Sequence, residues 1–322
     1  MILEEYIMSK YIVSVVPLGE QEIERIQAVA GDYEILCFKS GAEISDEILA
    51  DTEILFGNIA PARLSACKDL KYVQLESAGY DNYIAPGVLA DNTMVANASG
   101  AYGIALAEHM IAGVLAVQKR LHGYRAQQKD AVWAKLGTVT GLYGSNVLII
   151  GAGDIGTETA KRLKAFGAHV TGLKRTVKGD MEHFDKVYAY DEMPWADVLG
   201  QTDIVVIAAP LNEGTKHLIN RDTIAMLKDG AIIVNGGRGP IIETEALCDA
   251  LESGKLAAAV LDVTDPEPLP EDHRLWKIEN AYITPHVAGG HSFHTTVEKL
   301  VELGVLNLER YLKGEAIVNR VK

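Results

Sequence analysis

The chain contains 322 residues, of which 48% are hydrophobic and 23% are charged, and this composition is ordinary for a soluble globular protein. Its formal net charge of −14 argues against nucleic acid or an anionic membrane surface as a partner, because phosphate groups would repel the chain. The length is sufficient for two domains, each with its own hydrophobic core.

The three cysteines and the N-terminal segment indicate the expected compartment. Cys37, Cys67 and Cys248 are few, odd in number and far apart, which suggests neither a disulfide framework nor a metal site. Residues 1–10 are acidic and lack the apolar core of a signal peptide. No apolar run approaches the roughly 18 residues that a membrane span requires. We therefore expect a cytoplasmic protein without a bound metal.

The first hundred residues alternate short apolar runs with polar or amphipathic segments. In the segment 20–31, Ile23, Ile26 and Ala30 recur at helical spacing. Strands that alternate with helices form a parallel, doubly wound sheet, so residues from about 10 to 99 are predicted to form one α/β domain. The predicted strands are 11–16, 33–38, 53–57, 72–77 and 93–98.

A long apolar helix and a polar segment come next. Apolar residues continue through 99–124, which predicts one long helix that Ser99 can cap. Residues 125–145 are polar and aromatic, and they include Trp133 and Tyr143. We interpret this segment as an arm for self-association and expect a homodimer.

The most informative pattern is a glycine-rich turn between two apolar runs. Residues 147–150 precede Gly151, Gly153 and Gly156, and a second run follows at 169–173. In a strand, turn, helix and strand unit, these glycines allow a tight turn, close approach of the backbone to phosphate, and close packing of helix on strand. The pattern predicts a dinucleotide pyrophosphate at the helix N-terminus. A glycine turn in another α/β protein, such as a methyltransferase, is the alternative.

The end of the second strand in this unit bears on the choice of cofactor. A pocket for NAD usually has Asp or Glu there, about 20 residues after the glycines, to bind the ribose hydroxyls. This chain instead has Lys174, Arg175 and Thr176, which offer two cations and a hydroxyl to a 2′-phosphate. We predict NADP(H) as the preferred cofactor over NAD(H). The alternative is that both cations are solvated charges at a strand end.

The pattern of strands and helices continues to the C-terminus. Near-continuous apolar runs, typical of strands covered on both faces, alternate with helical segments such as 243–254. The last long helix is predicted at about 290–313. The predicted strands are 203–209, 231–237, 257–263 and 281–286.

This order of elements predicts how the domains are connected. Residues 100–287 form a dinucleotide-binding domain, which is inserted into a substrate domain of residues 1–99 and 288–322. A cleft between two domains is then the expected binding site.

Three of these strands lead into polar side chains that suit hydride transfer to a 2-keto acid. Arg238, Glu267 and His286 follow successive strands, and ligands of open parallel sheets bind beyond the carboxyl ends of the strands. Arg238 offers a fork of donors to a carboxylate or carbonyl. His286 can exchange a proton with the substrate oxygen while Glu267 orients its ring. Singly, the three are equally well explained as a loop ion pair, a solvated turn residue and a strand-end histidine.

Four motifs together resemble the family of D-isomer-specific 2-hydroxyacid dehydrogenases, and the resemblance covers nearly the whole chain. The motifs are GAGDIG (151–156), NGGRGPIIE (235–243), LDVTDPEPLP (261–270) and TPHVAGG (284–290). The resemblance implies two doubly wound parallel-sheet domains, a Rossmann nucleotide domain inserted into a flavodoxin-like substrate domain. The cationic strand end resembles the NADPH-using glyoxylate/hydroxypyruvate reductases within this family.

The resemblance also assigns roles to individual residues. Arg238, Glu267 and His286 match the catalytic arginine, glutamate and histidine, and the backbone amides of Ala78 and Gly79 match the loop that binds the substrate carboxylate. Asp262 matches the position that holds the nicotinamide carboxamide. The further positions implied for the cofactor are Asp154, Ile155, Pro210, Thr215 and Gly236, and those implied for the substrate are Asn58, Ser77 and Tyr102.

Two hypotheses of function follow. The first is an enzyme that reduces a small 2-keto acid to the D-2-hydroxy acid, with glyoxylate, hydroxypyruvate and branched keto acids all open as substrates. The resemblance argues against a formate dehydrogenase, because that branch has glutamine where this chain has Glu267. The second hypothesis is a dinucleotide-sensing interaction protein, similar to a corepressor, on the same fold.

Overall fold

The computed structural model describes residues 10–177, 181–290 and 293–322. Two parts of the sequence predictions lie outside the described residues. They are residues 1–9, which belong to the N-terminal segment predicted not to be a signal peptide, and residues 291–292 of the last predicted helix. The chain divides into two compact units, Met1–Tyr102 with His291–Lys322, and Gly103–Gly290. Within the described ranges, every helix is too short or too polar to cross a bilayer.

Twelve strands and nine α-helices occur in the described residues, together with five short 3-10 helices. The strands are β1 (Tyr11–Ser14), β2 (Glu34–Cys37), β3 (Thr52–Phe56), β4 (Tyr72–Gln74), β5 (Met94–Ala96), β6 (Asn146–Ile150), β7 (His169–Lys174), β8 (Lys186–Ala189), β9 (Ile204–Ile207), β10 (Ala231–Asn235), β11 (Leu256–Leu261) and β12 (Ala281–Ile283). The helices are α1 (Glu20–Ala30), α2 (Asp46–Ala50), α3 (Gly103–Gln118), α4 (Leu121–Lys129), α5 (Asp154–Ala165), α6 (Trp195–Leu199), α7 (Arg221–Met226), α8 (Thr244–Glu252) and α9 (His294–Leu312).

The first unit is built on a five-stranded parallel sheet in the order β2-β1-β3-β4-β5. Consecutive residues of a strand point to opposite faces, and both faces are buried here. Ile12 and Ile54 pack on one face with residues of α1 and α9, whereas Val13 and Leu55 pack on the other face with α2. This two-sided burial explains the near-continuous apolar runs and confirms the predicted doubly wound sheet.

The second unit is built on a seven-stranded parallel sheet in the order β12-β11-β10-β9-β6-β7-β8. The strand order reverses at β6, which lies between β7 and β9, so the glycine turn after β6 lies at the point where open α/β sheets bind ligands. This is the predicted Rossmann arrangement. The strand patterns do not reveal β8, because its four residues form a half-buried edge strand with no long apolar run.

The predicted helix over 99–124 is wrong in its extent. The structure has α3 and α4 instead, separated at Arg120, whose backbone is left-handed with φ of +55°. Lys119 and Arg120 donate side-chain hydrogen bonds to the carbonyls of Thr140 and Thr138, which fixes this turn. Because α3 begins at Gly103, the predicted cap Ser99 lies too far upstream to cap it.

The packing of α9 on the first sheet requires a glycine at position 304. A Cβ atom built on Gly304 would lie 2.7 Å from Cε1 of the buried Phe56 ring in β3. An alanine at an ordinary helical position would instead favour the helix by about 1 kcal/mol over glycine. Steric overlap with an aromatic ring therefore reverses the usual preference.

We expect Gly304→Ala to lower the free energy of unfolding by about 1–3 kcal/mol, because overpacking forces the ring or the helix to move. Denaturant titration of the full chain measures this change. The matched control is Glu302→Ala on the exposed side of the same helix, for which the change should stay within about 0.5 kcal/mol. A Gly304→Ala protein as stable as the parent chain would contradict the packing argument.

Candidate active site

The turn between β6 and α5 has the shape of a phosphate cradle. Gly151 has φ of +101°, and a Cβ atom there would lie 2.7 Å from the carbonyl oxygen of Ala208. A Cβ atom on Gly156 would overlap the carbonyl oxygen of Gly151, whereas the space beside Gly153 is open. Gly153 is the N-cap of α5 and has no capping side chain, so no cap satisfies the first amides of the helix. These features fit a dinucleotide pyrophosphate.

The two cations after β7 lie beside this turn. Ile150 pairs with Leu173, and the Gly151 amide donates to the Leu173 carbonyl at 2.9 Å. Lys174 ends the strand half-buried, and Arg175 follows it on the exposed surface. The neighbouring strand ends therefore place positive charge next to the phosphate cradle.

The other predicted cofactor residues follow the next strands of the sheet. Asp154 and Ile155 form the first turn of α5, Pro210 is exposed after β9, and Gly236 is buried after β10. A Cβ atom on Gly236 would lie 2.8 Å from Sδ of a methionine in α3, so any other residue would displace that side chain. The Thr215 hydroxyl donates to the Pro210 carbonyl at 2.8 Å, which orders the loop after β9.

The three predicted catalytic residues lie at the carboxyl ends of three adjacent parallel strands, β10, β11 and β12. His286 Nδ1 lies 2.6 Å from Glu267 Oε1, and the two side chains are 49% and 41% exposed. A carboxylate can only accept, so Nδ1 carries the proton and the opposite nitrogen, Nε2, is left for a ligand. The pair has the geometry of a proton donor with its orienting carboxylate.

Arg238 follows β10 and is half-buried. One of its guanidinium nitrogens, Nη1, donates to the Gly237 carbonyl at 2.8 Å. Within residues 10–177, 181–290 and 293–322, no carboxylate forms an ion pair with this guanidinium, so most of its donors remain for a ligand. A Cβ atom on Gly239 would overlap the carbonyl of Thr264, which brings the loops after β10 and β11 into contact.

Asp262 fixes the loop that carries His286. Its carboxylate is 4% exposed, and Oδ1 accepts from the Thr284 hydroxyl at 2.6 Å and from the Val287 amide at 3.0 Å. Oδ2 accepts from the Ala288 amide at 3.0 Å. The Asp262 carbonyl also accepts from the His286 amide at 2.8 Å. These bonds satisfy a buried charge and hold His286 at a left-handed backbone with φ of +51°.

A histidine in α3 extends this network. His109 Nε2 lies 3.0 Å from the Thr284 hydroxyl and 3.7 Å from Asp262 Oδ1. Because the hydroxyl proton is directed to the carboxylate, Thr284 accepts from His109, which therefore carries a proton on Nε2. The sequence patterns do not reveal His109, because a single histidine in an apolar helix is no signal by itself. Thr284 lies within the TPHVAGG motif but had no predicted role.

The predicted substrate residues of the first unit either belong to the loop after β4 or form hydrogen bonds with it. Asn58 Nδ2 donates to the Ser77 hydroxyl at 3.0 Å, and the Ser77 hydroxyl donates to the Gly79 carbonyl at 2.6 Å. The Tyr102 hydroxyl donates to the Glu76 carbonyl. Burial raises the pKa of the Tyr102 phenol, which keeps it protonated as a donor. Asn58 and Tyr102 thus shape this loop directly.

The backbone amides of Ala78 and Gly79 donate to no acceptor within the described parts of the chain. Both N–H groups therefore remain available to a ligand.

Known proteins resemble this chain in both sequence and fold. The family described as "D-isomer specific 2-hydroxyacid dehydrogenase, NAD binding domain" matches residues 111–288, more than half of the chain. A glyoxylate reductase of Thermofilum pendens is 34% identical over 269 residues, which cover 80% of this chain and 77% of that protein.

Two solved structures match nearly the whole chain. A D-isomer specific 2-hydroxyacid dehydrogenase family protein from Aeromonas salmonicida has a TM-score of 0.82 at 29% identity, covering 98% of this chain and 99% of that one. An NADPH-dependent glyoxylate/hydroxypyruvate reductase from Sinorhizobium meliloti, in complex with NADP and sulfate, has a TM-score of 0.79 at 25% identity and covers 98% of each chain.

These matches confirm the predicted family and the predicted two-domain fold. They also support a nicotinamide dinucleotide as the cofactor, which fits the glycine cradle. The chain belongs to the family of D-isomer specific 2-hydroxyacid dehydrogenases, and it is an NAD(P)-dependent enzyme of 2-keto and 2-hydroxy acids.

Proposed function

We propose that this dehydrogenase reduces a small 2-keto acid to the D-2-hydroxy acid with NADPH, and that His286 supplies the proton. The observation that carries the proposal is the 2.6 Å contact between His286 Nδ1 and Glu267 Oε1 at the carboxyl edge of the sheet. The chemistry that the dinucleotide supplies when bound is hydride transfer to the keto carbon. Gly151, Gly153 and Gly156 would hold its pyrophosphate.

In the proposed step, donors of this chain bind the keto oxygen and the carboxylate of the substrate. The imidazolium form of His286 delivers the proton on Nε2 to the oxygen of the keto group, which leaves the neutral ring with its proton on Nδ1. In the reverse direction Nε2 takes this proton back. The Arg238 guanidinium donates to the same oxygen and to the neighbouring carboxylate. The amides of Ala78 and Gly79 bind that carboxylate. Glu267 keeps the imidazole ring in the orientation that leaves Nε2 available.

The preference for NADPH rests on the charges after β7. Lys174, Arg175 and Thr176 would bind the 2′-phosphate, and no carboxylate stands among them to repel it. The NADP complex of the Sinorhizobium meliloti reductase supports this choice. NAD(H) lacks the phosphate and is expected to bind more weakly.

The substrate class is proposed from the relatives. The names glyoxylate reductase and glyoxylate/hydroxypyruvate reductase support a keto acid with a small side chain. We place the enzyme in the cytoplasm, in keeping with its free cysteines.

A homodimer is proposed from the exposed residues of the arm. Trp133 is fully exposed and Tyr143 is 88% exposed, and large aromatic side chains of this kind are enriched at protein interfaces.

His286→Ala should lower kcat by about 100-fold or more with the preferred keto acid, because general acids typically contribute 10²–10⁴ in rate. Steady-state kinetics measure this change. His217→Ala is the matched control, since this exposed histidine also has φ of +51°, and kcat should stay within about twofold. A His286→Ala enzyme with unchanged kcat would remove this residue from the mechanism.

Lys174→Gln with Arg175→Gln should raise the Kd of NADPH by about tenfold or more, because hydrogen bonds to charged groups contribute about 1.5–3 kcal/mol each. The Kd of NADH should change by less than about threefold. Fluorescence titration measures both constants. Lys161→Gln, on the exposed face of α5, is the control for the loss of a positive charge. Equal weakening of both cofactors would contradict a 2′-phosphate site.

A further inference from the structure

Three successive carbonyls of the loop after β4 accept hydrogen bonds from within the first unit. The Ser77 carbonyl accepts from the Ala98 amide at 3.0 Å. The Ala78 carbonyl accepts from Asn97 Nδ2 at 2.7 Å, and the Gly79 carbonyl accepts from the Ser77 hydroxyl at 2.6 Å. All three carbonyl groups of residues 77–79 are therefore held in one orientation.

Fixed carbonyls also fix the amides that follow them. In a trans peptide the C=O and N–H bonds point in opposite directions, so each anchored carbonyl turns the next N–H group away from the anchoring atom. The amides of Ala78, Gly79 and Tyr80 are the three concerned. None of them donates to an acceptor in the described part of the chain. Each of the three N–H groups therefore points away from the group that anchors its own peptide.

Asn97 makes the central one of these three anchors, and it is itself held firmly. Its side chain is 4% exposed, and its Oδ1 accepts from the Ser99 amide at 3.3 Å. Since Oδ1 faces an N–H donor, the NH₂ group of the amide faces the Ala78 carbonyl. The Asn97 amide donates to the Asn319 carbonyl at 3.1 Å, which fixes the backbone.

We infer that Asn97 is a positioning residue for carboxylate binding, because it holds the peptide between Ala78 and Gly79 with the N–H group toward the ligand. The inference rests on the proposed function, in which these amides bind the substrate carboxylate. Without the Asn97 amide, the peptide can rotate and present the Ala78 carbonyl oxygen instead. The site then loses a donor and gains an acceptor that repels the anion.

Two substitutions test the role of Asn97. Asn97→Ala removes the donor, and Asn97→Asp replaces it with an oxygen next to the Ala78 carbonyl. We expect KM for glyoxylate, the probe substrate, to rise about tenfold or more in both variants, the size of a lost hydrogen bond to a charged group. The effect should fall mainly on KM, because the carboxylate is bound alike in the ground and transition states. The Ki of oxamate, a carboxylate that is not reduced, should rise in parallel.

Two controls separate positioning from damage to the fold. The Kd of NADPH should stay within about twofold in both variants, which reports a folded enzyme. Asn146→Asp removes a similar amide donor, which bonds the Gln201 carbonyl at 3.0 Å at the start of β6, and KM should stay within about twofold. If either Asn97 variant fails to fold, Asn97→Ser takes its place. The serine hydroxyl is too short to reach the Ala78 carbonyl, so KM should rise in this variant as well.

The activity of the parent enzyme distinguishes a failure of this inference from a failure of the proposed function. An active parent enzyme whose Asn97 variants keep the parental KM overturns the inference alone. A raised KM in Asn97→Asp with an unchanged KM in Asn97→Ala also overturns it, because charge repulsion then explains the effect. A parent enzyme that reduces no 2-keto acid overturns the proposed function and the inference with it.

Discussion

The hydrogen bonds of the buried Asp262 carboxylate hold the loop after β12, and the arrangement at the carboxyl edge of the second sheet depends on them. A charge that is 4% exposed is costly unless donors surround it, and three donors from the loop after β12 meet it here. The same loop carries His286 at a left-handed backbone, a conformation that a non-glycine residue adopts only when its surroundings impose it. The hydrogen bonds to this carboxylate thus hold the strained loop in place, and with it the His286 imidazole that pairs with Glu267.

In the proposed function, local donors rather than total charge bind the anionic ligands. The chain carries a net charge of −14, yet the proposed ligands present a pyrophosphate, a 2′-phosphate and a carboxylate. The proposal assigns these anions to local donors of the chain: the first amides of α5, the cations after β7, and the amides of the loop after β4. Preorganised amides need no counter-charge and do not reorganise when an anion binds, which suits them to an acidic protein.

The sequence was most informative where the pattern is local. Alternating strands and helices predicted both parallel sheets, and the glycines at 151, 153 and 156 predicted the turn that the structure shows at the reversal of strand order. Arg238, Glu267 and His286 could be found because parallel strands end at one edge. Their chemical roles, and those of the cofactor and substrate residues, stay predictions.

What the sequence could not predict depends on contacts between distant positions. His109 and Thr284 are 175 residues apart, and nothing in either neighbourhood indicates the other. Asn97 becomes informative only once its amide is seen on the Ala78 carbonyl. The single helix predicted over 99–124 was wrong for the same reason, because the side chains of Lys119 and Arg120 bond a segment about 20 residues ahead.

The proposed reduction is tested most directly by the loss of absorbance at the reduced-nicotinamide band, with glyoxylate, hydroxypyruvate, pyruvate and a branched 2-keto acid, each against NADPH and NADH. We expect rapid loss with NADPH and at least one of the smaller keto acids, and slow loss with NADH. Loss with NADH alone would keep the dehydrogenase and contradict the role given to Lys174 and Arg175. No loss with any pair, in a protein that binds NADPH, would contradict the proposed reduction and favour a dinucleotide sensor.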